Sequence, residues 1–231
     1  MTAPLRLIVA ITGATGTIFG VRLLQVLQGG DVETHLVVTR WGARTLLHET
    51  SYSLEDVRAL ASHAYAEGDQ GAPLSSGSFL TMGMVVLPCS MKTLSAIAQG
   101  RCEDLVQRAA DVVLKERRRL VLAVRETPLN DIHLENMLKL SRMGAVISPP
   151  LPSFYNHPKT VDDIVNHTVQ RILDLFDVHL DVAERWSGVM AAGARRRRPA
   201  RPSAASSARG RPPAHDTNGG RRGYRGRRGK G

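Results

Sequence analysis

The residues best suited to chemistry stand at one junction. Arg125-Glu126-Thr127-Pro128-Leu129 follows directly on the apolar run Leu120-Val121-Leu122-Ala123-Val124. A run this short and apolar reads as a strand buried on both faces. An arginine beside a glutamate where it stops is poor core chemistry, because charged groups are rarely buried unless paired. At the carboxyl edge of an open parallel sheet, where such folds bind their ligands, the pair makes sense as part of a site. The competing reading is a strand-end ion pair followed by a proline turn.

Other strand ends repeat the pattern. Gly13-Ala14-Thr15-Gly16 follows the apolar Leu7–Ile11. Its glycines permit close backbone approach, and a helix start supplies free N–H groups and positive potential, so a phosphate-bearing cofactor suits it. It lacks the G-x-G opening of a dinucleotide fingerprint, which argues against NAD. Thr39 closes a second strand, and Ser90-Met91-Lys92-Thr93 follows Met84–Pro88. The hydroxyls of Ser90 and Thr93 suit a ligand or, equally, a helix cap. Lys115 with Arg117-Arg118-Arg119, Tyr155 in a proline-rich loop, and Arg171 on a helix are further anion-binding candidates. Each has an ordinary alternative: dipole compensation, loop packing or a solvated face.

The elements needed to position these groups are legible as an alternation. Strands are predicted at Leu7–Ile11, Thr34–Thr39, Met84–Pro88, Leu120–Val124 and Ala145–Ser148. Helices are predicted at Ile18–Leu27, Trp41–Glu49, Thr93–Ala98, Glu103–Lys115, Ile132–Leu140 and Thr160–Asp177, with a loop near Gly68–Ser78. Strands alternating with helices imply an α/β fold, a doubly wound and mainly parallel sheet with right-handed crossovers.

Of the 231 residues, 31 are Lys or Arg and 21 are Asp or Glu, but 13 of the basic residues and only one acid lie in 191–231. The rest of the chain is therefore close to neutral. Residues 1–190 are expected to form one domain. Residues 191–231, rich in Arg, Gly, Pro and Ser, cannot bury enough surface to offset their ordering entropy and are expected to be a disordered basic tail. Its Arg221–Gly229 stretch resembles arginine-glycine segments that bind RNA electrostatically, yet one tyrosine offers little stacking, so nucleic acid is not the expected main partner. Two cysteines give neither a disulfide framework nor zinc spacing, and a reducing cytoplasm is the simplest compartment. Glycines and Arg6 break the first apolar stretch, so neither a signal peptide nor a membrane span is expected.

Together the segments I-T-G-A-T-G, P-C-S-M-K-T-L, E-R-R-R-L-V-L-A-V-R-E-T-P-L and F-Y-N-H-P-K-T-V-D-D-I-V resemble, in order and spacing, the UbiX flavin prenyltransferases, over about Leu5 to Trp186. Phe154–Pro158 and Ala14-Thr15 look like the branch paired with hydroxyarylic (phenolic) acid decarboxylases. The resemblance implies a Rossmann-like flavoprotein fold and transfer of a dimethylallyl group from dimethylallyl monophosphate to reduced FMN. The product, prenylated FMN, would serve a UbiD-type decarboxylase, and no metal would take part. It further implies that Gly13, Ala14, Thr15, Thr39, Ser90, Met91, Lys92, Thr93 and Arg125 line FMN. Tyr155 and Arg171 would grip the substrate phosphate, with Lys115 nearby and Trp186 by the prenyl pocket. Glu126 would be the acid, partly buried and so raised in pKa. Glu49 would reach in from a neighbouring subunit of a homo-oligomer, often a dodecamer. Thr15 stands where many relatives have serine, keeping the hydroxyl but adding a stiffening methyl. The competing function is a flavin-dependent decarboxylase acting directly on an aromatic acid.

Overall fold

A computed structural model describes residues 5–188; the tail expected at 191–231 lies outside the described residues. In chain order the elements are β1 (Leu5–Ile11), α1 (Thr17–Leu27), β2 (Val32–Val38), α2 (Arg40–Glu49), α3 (Leu54–Ala59), β3 (His63–Tyr65), β4 (Gly83–Cys89), α4 (Met91–Ala98), α5 (Leu105–Lys115), β5 (Arg119–Val124), α6 (Asp131–Arg142), β6 (Val146–Ile147) and α7 (Val161–Asp174). The six strands form one sheet in the order β3-β2-β1-β4-β5-β6, and every pair is parallel.

The sheet is covered on both faces, which is why its central strands read as continuous apolar runs. Ile8, Ala10, Val86, Leu120 and Leu122 pack with α4, α5 and α6 on one side. Leu7, Val9, Ile11, Val121 and Ala123 pack with α1, α2, α3 and α7 on the other. Strand alternation sends neighbouring residues to opposite cores.

Two elements go beyond the sequence reading. Helix α3 begins with a capping box, in which Ser53 accepts from the Asp56 amide and Asp56 accepts from the Ser53 amide. Strand β3 is three residues long and sits at the sheet edge. The Gly68–Ser78 loop is as expected, apart from a single 3-10 turn at Pro73–Ser75. Helix α7 stops at Asp174 rather than Asp177. Among the described residues no helix is long and apolar enough to cross a membrane.

Candidate active site

The chain leaves β1 for β2 and β3 on one side, then returns to β4 on the other side of β1. The carboxyl ends of β1 and β4 are therefore the topological switch point, the place where an open α/β sheet offers a crevice. Thr12, fully buried, spans it: its hydroxyl donates to the Pro88 carbonyl at 2.8 Å and accepts from the Ser90 amide at 2.9 Å.

The Gly13–Gly16 turn is fixed from two directions. A Cβ on Gly13 would fall 2.5 Å from the Cβ of Trp41, so this glycine is required by the neighbouring α2. Gly16 sits at φ +95°, a left-handed conformation that glycine tolerates best. The mouth of α1 is already filled. Glu49 Oε2 accepts from the Gly16 amide at 2.9 Å, the Thr17 amide at 3.2 Å and the Thr17 hydroxyl at 3.1 Å. Partial burial alone would raise the Glu49 pKa, but the nearby Thr15 hydroxyl and these donors outweigh it and hold the carboxyl below its ordinary value. One expectation is corrected: within the chain, the Glu49 carboxylate takes the α1 amides that a cofactor phosphate was expected to use.

The mouth of α2 is filled in the same way, and that of α4 is not. Thr39 is buried and caps α2, accepting from the Gly42 amide at 3.0 Å, while Glu67 takes the Arg40 amide at 2.7 Å. Ser90 caps α4 by accepting from the Thr93 amide at 3.3 Å, and the two hydroxyls are 3.0 Å apart. Among the described residues no acceptor faces the Met91 and Lys92 amides. These amides, at the positive end of α4, form the open anion seat of the crevice.

Arg125 and Glu126 stand at the end of β5, next in the sheet to β4, and the Arg125 amide donates to the Cys89 carbonyl at 3.1 Å. They do not pair with each other. Glu126 Oε1 accepts from the Thr127 amide at 3.0 Å, and Arg125 has no side-chain partner among the described residues. Glu126 is exposed in the single chain, not partly buried as expected. Neighbouring Cys89 is fully buried, and burial pushes its thiol up to about 12, which removes it as a nucleophile.

Tyr155, His167 and Trp186 form a second group. The Tyr155 hydroxyl is 2.9 Å from His167 Nε2, and the Tyr155 and Trp186 rings meet edge to face at 5.6 Å. Burial, helped by the Arg171 charge, lowers the His167 pKa and keeps the ring neutral. Arg171, one turn further along α7, bonds Asp174 at 2.9 Å. Asp174 also receives Arg185 through two bonds at 2.8 and 2.9 Å, and these hold its pKa down to about 2. Buried Gln170 accepts from the Val182 and Ala183 amides at 3.0 and 2.8 Å. The segment carrying Trp186 is thus fastened along α7.

Arg171, near the end of α7, lies away from the first group. The C-terminal end of α7 lies at the amino ends of the strands, where Arg119 donates to the Leu175 carbonyl and bonds Asp177. Lys115 is displaced further. It closes α5 just before β5 begins, about 20 Å of strand away from Arg125. It pairs with Glu116 there and borders a surface cavity with Arg101, Arg117, Lys139 and Arg142. Sequence reading also missed Thr12, His167, Gln170 and Asp174, whose roles rest on long-range partners. Only Thr12, beside the glycine turn, carried a local signal.

A switch-point crevice with one unfilled helix mouth and no dinucleotide fingerprint suits a phosphate-bearing mononucleotide, and the flavoprotein family matches residues 1–173, so the chain is a flavoprotein. Within that family the chain belongs to the UbiX-like flavin prenyltransferases, which are transferases. It is 60% identical over 191 residues to a probable UbiX-like flavin prenyltransferase of Streptomyces sp. (strain D7), covering 82% of this chain and 96% of that one. The crystal structure of AnUbiX (PadA1) in complex with FMN and dimethylallyl pyrophosphate superposes with a TM-score of 0.80 at 52% identity, over 81% of this chain and 100% of the other. A dodecameric FMN-dependent UbiX-like decarboxylase from Escherichia coli O157:H7 does so with a TM-score of 0.78 at 58% identity, over 80% and 100%.

Proposed function

We propose that this protein transfers the dimethylallyl group of dimethylallyl monophosphate to reduced FMN and supplies the prenylated flavin to a UbiD-type decarboxylase of phenolic acids. The observation that carries this reading is the division of the carboxyl edge. The amides of Met91 and Lys92 with Ser90 and Thr93 suit a flavin phosphate, while Arg125 and Glu126 stand beside it without pairing with each other. Reduced flavin would supply the electron-rich ring that accepts the prenyl group. Gly13, Ala14 and Thr15 give that ring a close backbone wall. Glu49, held ionised, orients the Thr15 hydroxyl. Glu126 gives a proton to the departing phosphate, and Arg125 balances the charge that accumulates there.

The remaining anion-binding groups come from other copies of the chain. Lys115 and Arg171 stand toward the amino ends of the strands, away from Glu126 of their own chain, and the surface offers the apolar area that assembly needs. Ile132, Leu138, Leu151, Phe154 and Val161 are all more than half exposed. A dodecamer, as in the Escherichia coli relative, closes the site with Trp186 at its prenyl end. Both cysteines are free, which suits a reducing compartment such as the cytoplasm. Residues 1–190 are the catalytic domain and 191–231 an appendage.

The test is mass spectrometry of the flavin released after anaerobic incubation with reduced FMN and dimethylallyl monophosphate. A gain of one prenyl unit is expected; unchanged FMN overturns the assignment. The decarboxylase description of the Escherichia coli relative favours a second reading, direct decarboxylation. Carbon dioxide release from an aromatic acid by the purified protein, without a partner enzyme, would establish that one instead. Truncation after residue 190 is expected to leave prenylation unchanged, and lost activity would give the basic tail a place in the site.

A further inference from the structure

Away from the crevice, a second constellation stands on the β2–β3 flank of the sheet. Glu33 is the second residue of β2, and His35, two residues on, projects from the same face. His63 opens β3 and lies opposite His35 in the ladder. Glu33 Oε1 is 2.9 Å from His35 Nε2 and 3.2 Å from His63 Nε2, and the three ligand atoms lie within 4.8 Å of one another. Tetrahedral zinc with bonds of about 2.0–2.1 Å spaces its ligands about 3.3–3.4 Å apart, so the two Glu33–histidine separations match within a few tenths of an ångström, and the two histidine nitrogens, no more than 4.8 Å apart, reach that spacing by side-chain rotation.

The surroundings suit a metal as well. His35 is 2% exposed, and its Nδ1 is 2.9 Å from the Tyr65 hydroxyl. In the tautomer that donates Nδ1–H to Tyr65, Nε2 presents its lone pair to the cluster, the outer contact that metal-binding histidines characteristically make. The ring is held by stacking on His63 at 4.8 Å and by the edge contact with Phe79 at 4.9 Å. His63 is half-exposed, which gives an ion a way in and leaves room for water as fourth ligand. The opposing charge is Arg6, whose Nε lies 3.4 Å from Glu33 while its guanidinium rests over Phe79 at 4.8 Å.

We propose that Glu33, His35 and His63 bind a zinc-class transition-metal dication that fastens the three-residue edge strand β3 to β2. The ion is structural and separate from the prenyl transfer, whose residues lie at the carboxyl ends of β1, β4 and β5.

Chelator-treated full-length protein is titrated with Zn2+ by calorimetry and with Co2+ by visible absorption. Saturable binding near one ion per chain is expected, with intense tetrahedral Co2+ bands. His63→Ala, a half-exposed position that the fold tolerates, should weaken binding at least about 10-fold and abolish those bands. Arg6→Gln should tighten binding, because the competing cation is gone. No saturable binding, or equal binding by the wild type and His63→Ala, overturns the proposal.

Discussion

Two stretches of the same sheet edge are built on opposite terms. At the ends of β1 and β2, the hydrogen-bonding groups of Thr12, Gly16, Thr17, Thr39 and Arg40 are met from within the chain, by Pro88, Ser90, Glu49, Gly42 and Glu67. At the ends of β4 and β5, the Met91 and Lys92 amides and the Arg125 side chain face outward without protein partners among the described residues. Unmet donors are tolerable at an edge reached by water and become strong when an anion displaces it. The satisfied stretch is a wall tied within the chain, and the unsatisfied stretch is where the proposed binding and chemistry would fall.

Variants on the two stretches should therefore fail differently. Glu126→Gln should lower formation of prenylated FMN by about 10²–10⁴-fold, while FMN affinity and Tm stay at wild-type values. A wild-type rate in single-turnover assays removes Glu126 as the acid. Tyr155→Phe should cost about 1–3 kcal/mol in kcat/KM by deleting one contact to the substrate phosphate and leaving His167 Nε2 without its partner. Unchanged steady-state constants would place Tyr155 outside the site.

Ser90→Ala lies on the boundary and should show both effects. FMN binding by fluorescence titration should weaken by about 1 kcal/mol, and stability should drop by a similar cap energy. A change in only one of the two would split the roles here given to one hydroxyl. Glu49→Gln tests the wall itself and should lower stability at neutral pH by about 1 kcal/mol. Because folding depresses the Glu49 pKa, its contribution is present above the ordinary carboxylate range and is lost as pH falls through the folded value. The Tm difference between wild type and variant should accordingly shrink on acidification toward pH 3. A constant difference means the ionised carboxylate is not what closes α1.

Most of the scaffold was legible in the sequence because its signals are local. Buried strands announce themselves as apolar runs, and glycine or Ser and Thr mark where they end. Strand β3 was not legible, since His63-Ala64-Tyr65 is too short for any periodicity. The capping box of α3, by contrast, was present in Ser53-Leu54-Glu55-Asp56 and could have been used. The positions of the proposed site residues were legible wherever the strand-end rule applied, since Gly13, Thr39, Ser90 and Arg125 do stand where strands end. The rule also warns against Lys115, because a helix that precedes a strand ends at the opposite edge from that strand's carboxyl end. Glu49 eluded placement because its partners, 32 and 33 residues earlier, are fixed by how α2 packs against α1.

Thr12 has a mechanical consequence. One hydroxyl ties the last residues of two strands that the chain visits 76 residues apart. The clearance between the glycine turn and the Ser90 turn is thus ruled by two hydrogen-bond lengths. The slot is cut to width before any guest arrives, like a gauge block between two jaws.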